Sequence, residues 1–293
     1  MSAARPIVNA MTIDVEDYFH VSAFEGVVVR EQWHQFESRV CGNTERLLRI
    51  FQAHGVRATF FVLGRVAEQF PALVADIVAA GHEIASHGYD HRLVYSQTAS
   101  AFREDVRRAK GQLEALTGSP VDGYRAPSYS ITARTPWAFD VLIEEGHRYD
   151  ASVFPIRHDR YGIPDAPRHA HVISRPAGSL VEAPGSTVRL GPVNLPMAGG
   201  GYFRLLPYWW TRWGISRVNQ LERRPAIFYL NPWEIDPEQP RLPASRLGRF
   251  RHYRNIHRTE NRLHQLLKDF RFDTVPVAIA AVNGASPADE KVA

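Results

Sequence analysis

Residues 7–17 read Ile7-Val8-Asn9-Ala10-Met11-Thr12-Ile13-Asp14-Val15-Glu16-Asp17, an apolar run that ends in three acids within four positions. The β-branched residues of 7–15 predict a strand. Residues two apart in a strand share a face, so Asp14 and Glu16 point the same way at its C-terminal end. Acids closing an apolar strand are costly unless a cation or a proton compensates them; a polar exit turning into solvent is the plainer reading.

The pattern repeats outward from that strand. Asn43 or Thr44 is a candidate cap for a helix carrying Leu47, Leu48, Ile50 and Phe51 and stopping at Gly55. Strands follow at 58–63, 83–86, 121–125 and 149–154, with helices at 70–80, 97–116 and 135–145, closed by Gly81, Gly118 and Gly146. This alternation predicts an α/β protein with a parallel sheet rather than a sandwich. From 155 to 207 it breaks into a Pro- and Gly-rich stretch with strand-like pieces at 172–175 and 187–190, which suggests long loops over one face. It resumes with a Trp-rich helix at 208–221, a strand at 226–230, a basic helix at 255–270 and a last strand near 274–279. Seven or eight such units in one chain imply a closed or nearly closed barrel, whose chemistry sits where strands end. The reading is one domain over 1–293, with its core at about 7–155 and 207–280 and a loop-rich insertion at about 155–206.

The chain's 293 residues, 44% hydrophobic and 23% charged, exclude a disordered tail protein. No apolar run approaches the roughly 18 residues needed to span a bilayer, and 1–10 lacks a basic region followed by an apolar one, so the chain reads as cytoplasmic. Cys41 is the only cysteine, which excludes an intrachain disulfide or a thiolate cluster; any metal must be held by His, Asp or Glu, and thirteen histidines are available. The net charge of +4 is uneven: residues 239–271 hold nine Lys plus Arg against Glu260 and Asp269, a net +7. An ordinary solvated helix explains this segment best, since no nucleic-acid motif accompanies it and no nucleic-acid partner is expected.

The other strand ends carry the remaining chemistry. The third strand runs into Ser86-His87-Gly88-Tyr89-Asp90-His91, and two imidazoles four apart can converge on one divalent ion if the segment turns helically. Two His with a carboxylate from another strand make a common open catalytic site. The next strand ends Arg125-Ala126-Pro127-Ser128-Tyr129-Ser130, the fifth supplies Asp150-Ala151-Ser152, and 226–230 exits into Asn231-Pro232-Trp233-Glu234. An arginine leaving a buried strand wants a carboxylate, and the acids of the first strand are the nearest candidates.

In order and spacing these five segments resemble the motifs of the polysaccharide deacetylase (NodB-homology) carbohydrate esterases, over roughly 7–272. The run Asp14-Val15-Glu16-Asp17-Tyr18-Phe19-His20 and the basic helix are similar to the subgroup of exosortase-linked exopolysaccharide loci. The resemblance implies a distorted (β/α)7 barrel with a Pro/Gly-rich loop insertion and a basic C-terminal extension. It implies a zinc-dependent hydrolase that removes N-acetyl groups from an amino-sugar polysaccharide or its precursor. It matches Asp14 to the general base, His87 and His91 to the metal ligands, and Arg125 to the residue orienting the base. Glu16 is favoured over Asp17 as third ligand. The Ser128 N–H matches an oxyanion donor, and Tyr129 and Trp233 are candidate sugar contacts, as are Trp209 and Trp210 if they are not core. His20 is a candidate groove residue. The fifth motif departs from the family: Asn231 stands where a histidine acts as general acid, while Asp150, expected to orient that histidine, is present. Three explanations stand open: a variant with another acid, a glycan-binding homologue without activity, and a substitution that traps substrate. Hydrolysis of a non-sugar amide, as in allantoinase-like relatives, is a further alternative.

Overall fold

A computed structural model describes residues 7–21, 24 and 26–283. In chain order the strands are β1 (Val8–Val15), β2 (Thr59–Val62), β3 (Glu83–Ser86), β4 (Gly123–Tyr124), β5 (Tyr149–Asp150), β6 (His171–Arg175), β7 (Gly178–Glu182), β8 (Thr187–Leu190), β9 (Val193–Pro196), β10 (Ile227–Leu230) and β11 (Arg271–Asp273). The helices are α1 (Val40–His54), α2 (Gly64–Gln69), α3 (Pro71–Ala79), α4 (Ala99–Thr117), α5 (Trp137–Glu144), α6 (Gly200–Leu205), α7 (Tyr208–Gln220), α8 (Arg246–Tyr253), α9 (Ile256–Asp269) and α10 (Val275–Asn283). The main sheet runs β10-β1-β2-β3-β4-β5-β7 in parallel, with β6 antiparallel at one edge and β11 paired to the start of β1. It is a curled half-barrel. Among the described residues no ladder joins β7 to β10; the Ser186 hydroxyl accepts the Ile227 N–H at 2.7 Å across that gap.

Period 2 along β1 sorts the interior. Met11, Ile13 and Val15 face outward with Phe60, Val62 and Ile84, and pack against helices through Leu47, Phe51, Leu73, Val74 and Leu266. Ala10, Phe61, Ala85, Tyr149, Val181 and Ile227 form an inner cluster drawn from six parallel strands. Thr12 and Asp14 share the inner face with Ala10, so the curl aims them at the barrel axis. Helix ends follow local chemistry. Gly55 closes α1 at φ 62° and Gly118 closes α4 at φ 65°, a left-handed conformation that suits glycine; Thr98 caps α4 by accepting the Ala101 N–H.

Below the inner cluster Glu83 accepts from Thr59 and, at 3.0 Å, from the Tyr149 hydroxyl. Burial pushes its carboxyl up to about 7. The protonated acid therefore stabilises the fold fully below the unfolded value of 4.5, and that contribution is lost as pH rises through about 7. Glu83→Gln is expected to flatten the pH dependence of thermal unfolding in this window and to exceed the parent by about 3 kcal/mol above it. A parent melting temperature that stays constant through the window contradicts this.

Several expected elements change. The stretch expected as loops over one face contributes β7, which pairs in parallel with β5 and belongs to the core sheet. The strand expected near 274–279 is the helix α10, preceded by the short β11; an apolar run of that length does not distinguish strand from buried helix. Helices α2, α6 and α8 were not anticipated. The basic segment is built in rather than appended, since Leu263, Leu266 and Leu267 of α9 join the main core. Among the described residues no helix is long and apolar enough to cross a membrane.

Candidate active site

The C-terminal ends of the parallel strands surround a cleft of about 140 Å3 lined by Asp14, Glu16, His87, His91, Ser128, Tyr129, Asn231 and Trp233, together with Tyr95, Arg160, Tyr161 and Tyr229. Arg125 lies beneath it, fully buried at the end of β4. Its Nη1 donates to Asp14 Oδ1 and to Thr12 Oγ1, both at 2.7 Å, and its Nε donates to the Ala151 carbonyl at 3.1 Å. The guanidinium rests 4.2 Å from the Phe61 ring centroid. Burial raises the Asp14 carboxyl above its ordinary range and the Arg125 charge pulls it back, a net upward shift. The Asp14 carboxyl is thus held in one orientation by a partner that never deprotonates.

Glu16, His87 and His91 each bring one ligand-type atom within 4.8 Å of the other two. His87 Nδ1 lies 2.8 Å from the Arg125 carbonyl oxygen, so its hydrogen is spent there and Nε2 keeps a lone pair. Burial lowers the His87 pKa to about 3, which keeps the imidazole neutral. His91 Nε2 is 2.8 Å from Glu16 Oε2, an oxygen that is buried and accepts no hydrogen bond, while Trp233 Nε1–H donates to Glu16 Oε1 at 3.2 Å. The histidines converge without a helical turn between them. Gly88 at φ 75° and His91 at φ 52° bend the loop instead, and Asp105 secures it by accepting the Tyr89 and Asp90 N–H groups at 2.8 and 3.3 Å. Ser128 and Tyr129 also adopt left-handed backbone, both at φ 53°, a cost that non-glycine residues bear mainly where a site demands it.

Chain geometry gives Glu16 and Asp17 different partners. Asp17, on the other face, accepts from Ser38 Oγ at 2.5 Å and from the Arg39 N–H at 2.9 Å, securing the start of α1. His20 Nδ1 accepts the Asp17 N–H at 3.0 Å and its ring packs on Trp33, beside a separate groove and outside the Glu16, His87 and His91 group.

Two expected placements are corrected. Asp150 is not part of the cleft lining: Ser152 Oγ and N–H donate to it at 2.5 and 3.0 Å, and it shares a hydrogen bond with Glu182 of β7. Asn231 is held instead by Glu234, whose Oε2 accepts its N–H at 3.0 Å and its Nδ2 at 3.1 Å; Arg204 Nε donates to Glu234 Oε1 at 2.6 Å. The strand β7, unrecognised in the sequence, brings its own acid to Asp150. Trp233 is 4% exposed and stacks on His252, so it forms a wall and a donor to Glu16 rather than an open platform. Trp209 and Trp210 are not among the lining residues. Glu182 and Glu234 went unassigned in the sequence, yet both follow the strand-end rule: Glu182 ends Leu180-Val181-Glu182, and Glu234 stands four residues past β10.

The curled parallel sheet thus brings a His, His and carboxylate group beside a buried Asp and Arg pair. Residues 33–142 match the polysaccharide deacetylase family, and residues 151–280 match a domain of unknown function, DUF3473. Residues 33–142 thus form part of a polysaccharide deacetylase (NodB-homology) domain. Over 108 residues it is 32% identical to a peptidoglycan deacetylase of Helicobacter pylori, covering 37% of this chain and 36% of that protein. Over 103 residues it is 33% identical to a chitooligosaccharide deacetylase of Sinorhizobium fredii, covering 34% and 44%. The chain spans about a third of the length of the first curated relatives it matches. A crystal structure from Mycobacterium smegmatis assigned to the polysaccharide deacetylases superposes with a TM-score of 0.62 at 20% identity, over 97% of this chain and 92% of that one, which establishes the shared fold.

Proposed function

We propose that this protein is a metal-dependent N-deacetylase acting on an amino-sugar polysaccharide or its precursor, in exopolysaccharide biosynthesis. The observation that carries the reading is the meeting, in one cleft, of the Asp14 and Arg125 pair with Glu16, His87 and His91. The domain match and the deacetylase names of the relatives support the reaction class.

The residues fit a divalent ion such as zinc: two imidazoles, one carboxylate, and a buried Glu16 Oε2 without a hydrogen-bond donor, 2.8 Å from His91 Nε2. Glu16, His87 and His91 would hold it, and it would supply Lewis acidity toward an acetamide carbonyl and toward water. Asp14, oriented by Arg125, takes the proton from the attacking water. Ser128 lines the cleft and its N–H would meet the oxyanion, while the Tyr129 N–H is already given to the Ala126 carbonyl at 3.1 Å. Tyr129, Tyr161 and Tyr229 form an aromatic wall suited to a sugar face. A second reading, a glycan-binding homologue without turnover, is favoured by one observation: Asn231 brings no titratable proton to the cleft.

The test is acetate release from N-acetylhexosamine oligomers by the zinc-loaded chain and by Asn231→His. Chelation is expected to abolish release and zinc to restore it, with one ion per chain in the parent and none retained by His91→Ala after dialysis. If the metal-loaded Asn231→His variant releases no acetate from a broad glycan panel, the deacetylase reading is lost.

A further inference from the structure

Helix α8 and the turn before it expose Arg241, Arg246, Arg249, Arg251 and Arg254. Among the described residues none of the five has a carboxylate oxygen within 4.0 Å, a feature shared with scattered exposed arginines such as Arg134 and Arg223 but gathered here on one short helix and its approach; Arg103 with Glu144 and Arg175 with Asp140 are paired. Between them stand Leu247 and Phe250, 57% and 52% exposed and less than one turn apart. The other side of the helix is bolted to the cleft wall. Its only buried residue, His252, stacks on Trp233 with centroids 4.2 Å apart and bonds Gln239 Oε1 at 2.6 Å. Arg204, which holds Glu234, also donates from Nη1 to the carbonyls of Arg251 and His252 at 2.9 and 2.5 Å.

Exposed apolar surface on Leu247 and Phe250 beside five cations without a carboxylate partner, of which Arg241 lies over Tyr253 at 4.2 Å and Arg254 over Phe250 at 5.7 Å, costs free energy twice, by hydration of the apolar surface and by like-charge repulsion. One partner relieves both: a surface with anionic phosphates for the guanidiniums and an acyl boundary for Leu247 and Phe250. A soluble polyanion meets the arginines but leaves Leu247 in water. We infer that the α8 face is a peripheral contact with anionic lipid, placed beside the cleft. This goes beyond the deacetylase reading and does not depend on it.

The test is co-sedimentation of the full chain with vesicles of phosphatidylcholine alone or equimolar with phosphatidylglycerol, at low and physiological salt. The chain is expected to bind only the anionic vesicles, more weakly as salt rises. Replacing Arg246, Arg249 and Arg251 together by Gln should lower partitioning about 100-fold, at roughly fivefold per arginine. Leu247→Ser with Phe250→Ser should lower it about tenfold while leaving retention on heparin unchanged. Unaltered melting curves exclude misfolding of either variant. Absence of binding to anionic vesicles, or equal binding by parent and the Leu247 and Phe250 double variant, overturns the proposal, as does retention on heparin without vesicle binding. Acetate release from soluble oligomers, which neither variant should change, is read separately, so failure of lipid binding and failure of the deacetylase reading are distinguishable.

Discussion

Asp14→Asn is expected to lower the rate constant for acetate release roughly 10³-fold, within the range for loss of a general base. The amide is isosteric with the carboxylate, and its oxygen can still accept from Arg125 Nη1, now 2.7 Å from Asp14 Oδ1. What it loses is the capacity to take a proton. Glu16, His87 and His91 form a separate group, so the zinc content of the variant should equal that of the parent. Stability should fall too, because a fully buried Arg125 is left without its counter-charge, and breaking such a pair costs about 3–5 kcal/mol. Assays must therefore be run well below the variant's melting temperature. A variant that keeps a tenth or more of parental activity, or that loses its metal, removes Asp14 from the proton-transfer step.

Asn231→His is expected to raise the same rate constant by about 10²- to 10⁴-fold, the usual contribution of one proton-transfer catalyst. The structure says how the new imidazole would be held. Its Nδ1 would stand near the present Asn231 Nδ2, 3.1 Å from Glu234 Oε2, and would donate there, which leaves Nε2 on the cleft side. Glu234 is itself fixed by Arg204. Adding Glu234→Gln to Asn231→His should therefore reduce the gain by an order of magnitude or so, whereas Asn231→Ala should change the parental rate little, the amide having no proton to give. If Asn231→His leaves the rate unchanged while zinc is bound, the glycan-binding reading takes precedence.

Much of this site was legible in one dimension. Asp14 and Glu16 share a face because side chains in a strand alternate, and His87, Arg125 and Asn231 follow strand ends that β-branched and aromatic runs made visible. Helix stops at Gly55 and Gly118 were equally plain, since the left-handed closing residue is a local demand. The short apolar runs were less so: β7 lay hidden in a Pro- and Gly-rich stretch, and α10 read as a strand, because neither length nor composition separates the two states there. With β7 went Glu182, and with Glu182 the partner of Asp150.

By itself the sequence determined the alternation of strands and helices and the kinds of side chain that end each strand, since both are set by neighbours a few residues away. Only the tertiary structure decided who meets whom. Arg125 reaches Asp14 across 111 residues, Trp233 reaches Glu16 across 217, and Asn231 turns to Glu234 rather than Asp150. Those pairings depend on the order of the parallel strands and on how far the sheet curls before closing, quantities that the packing of the whole core fixes and that no local stretch of chain encodes.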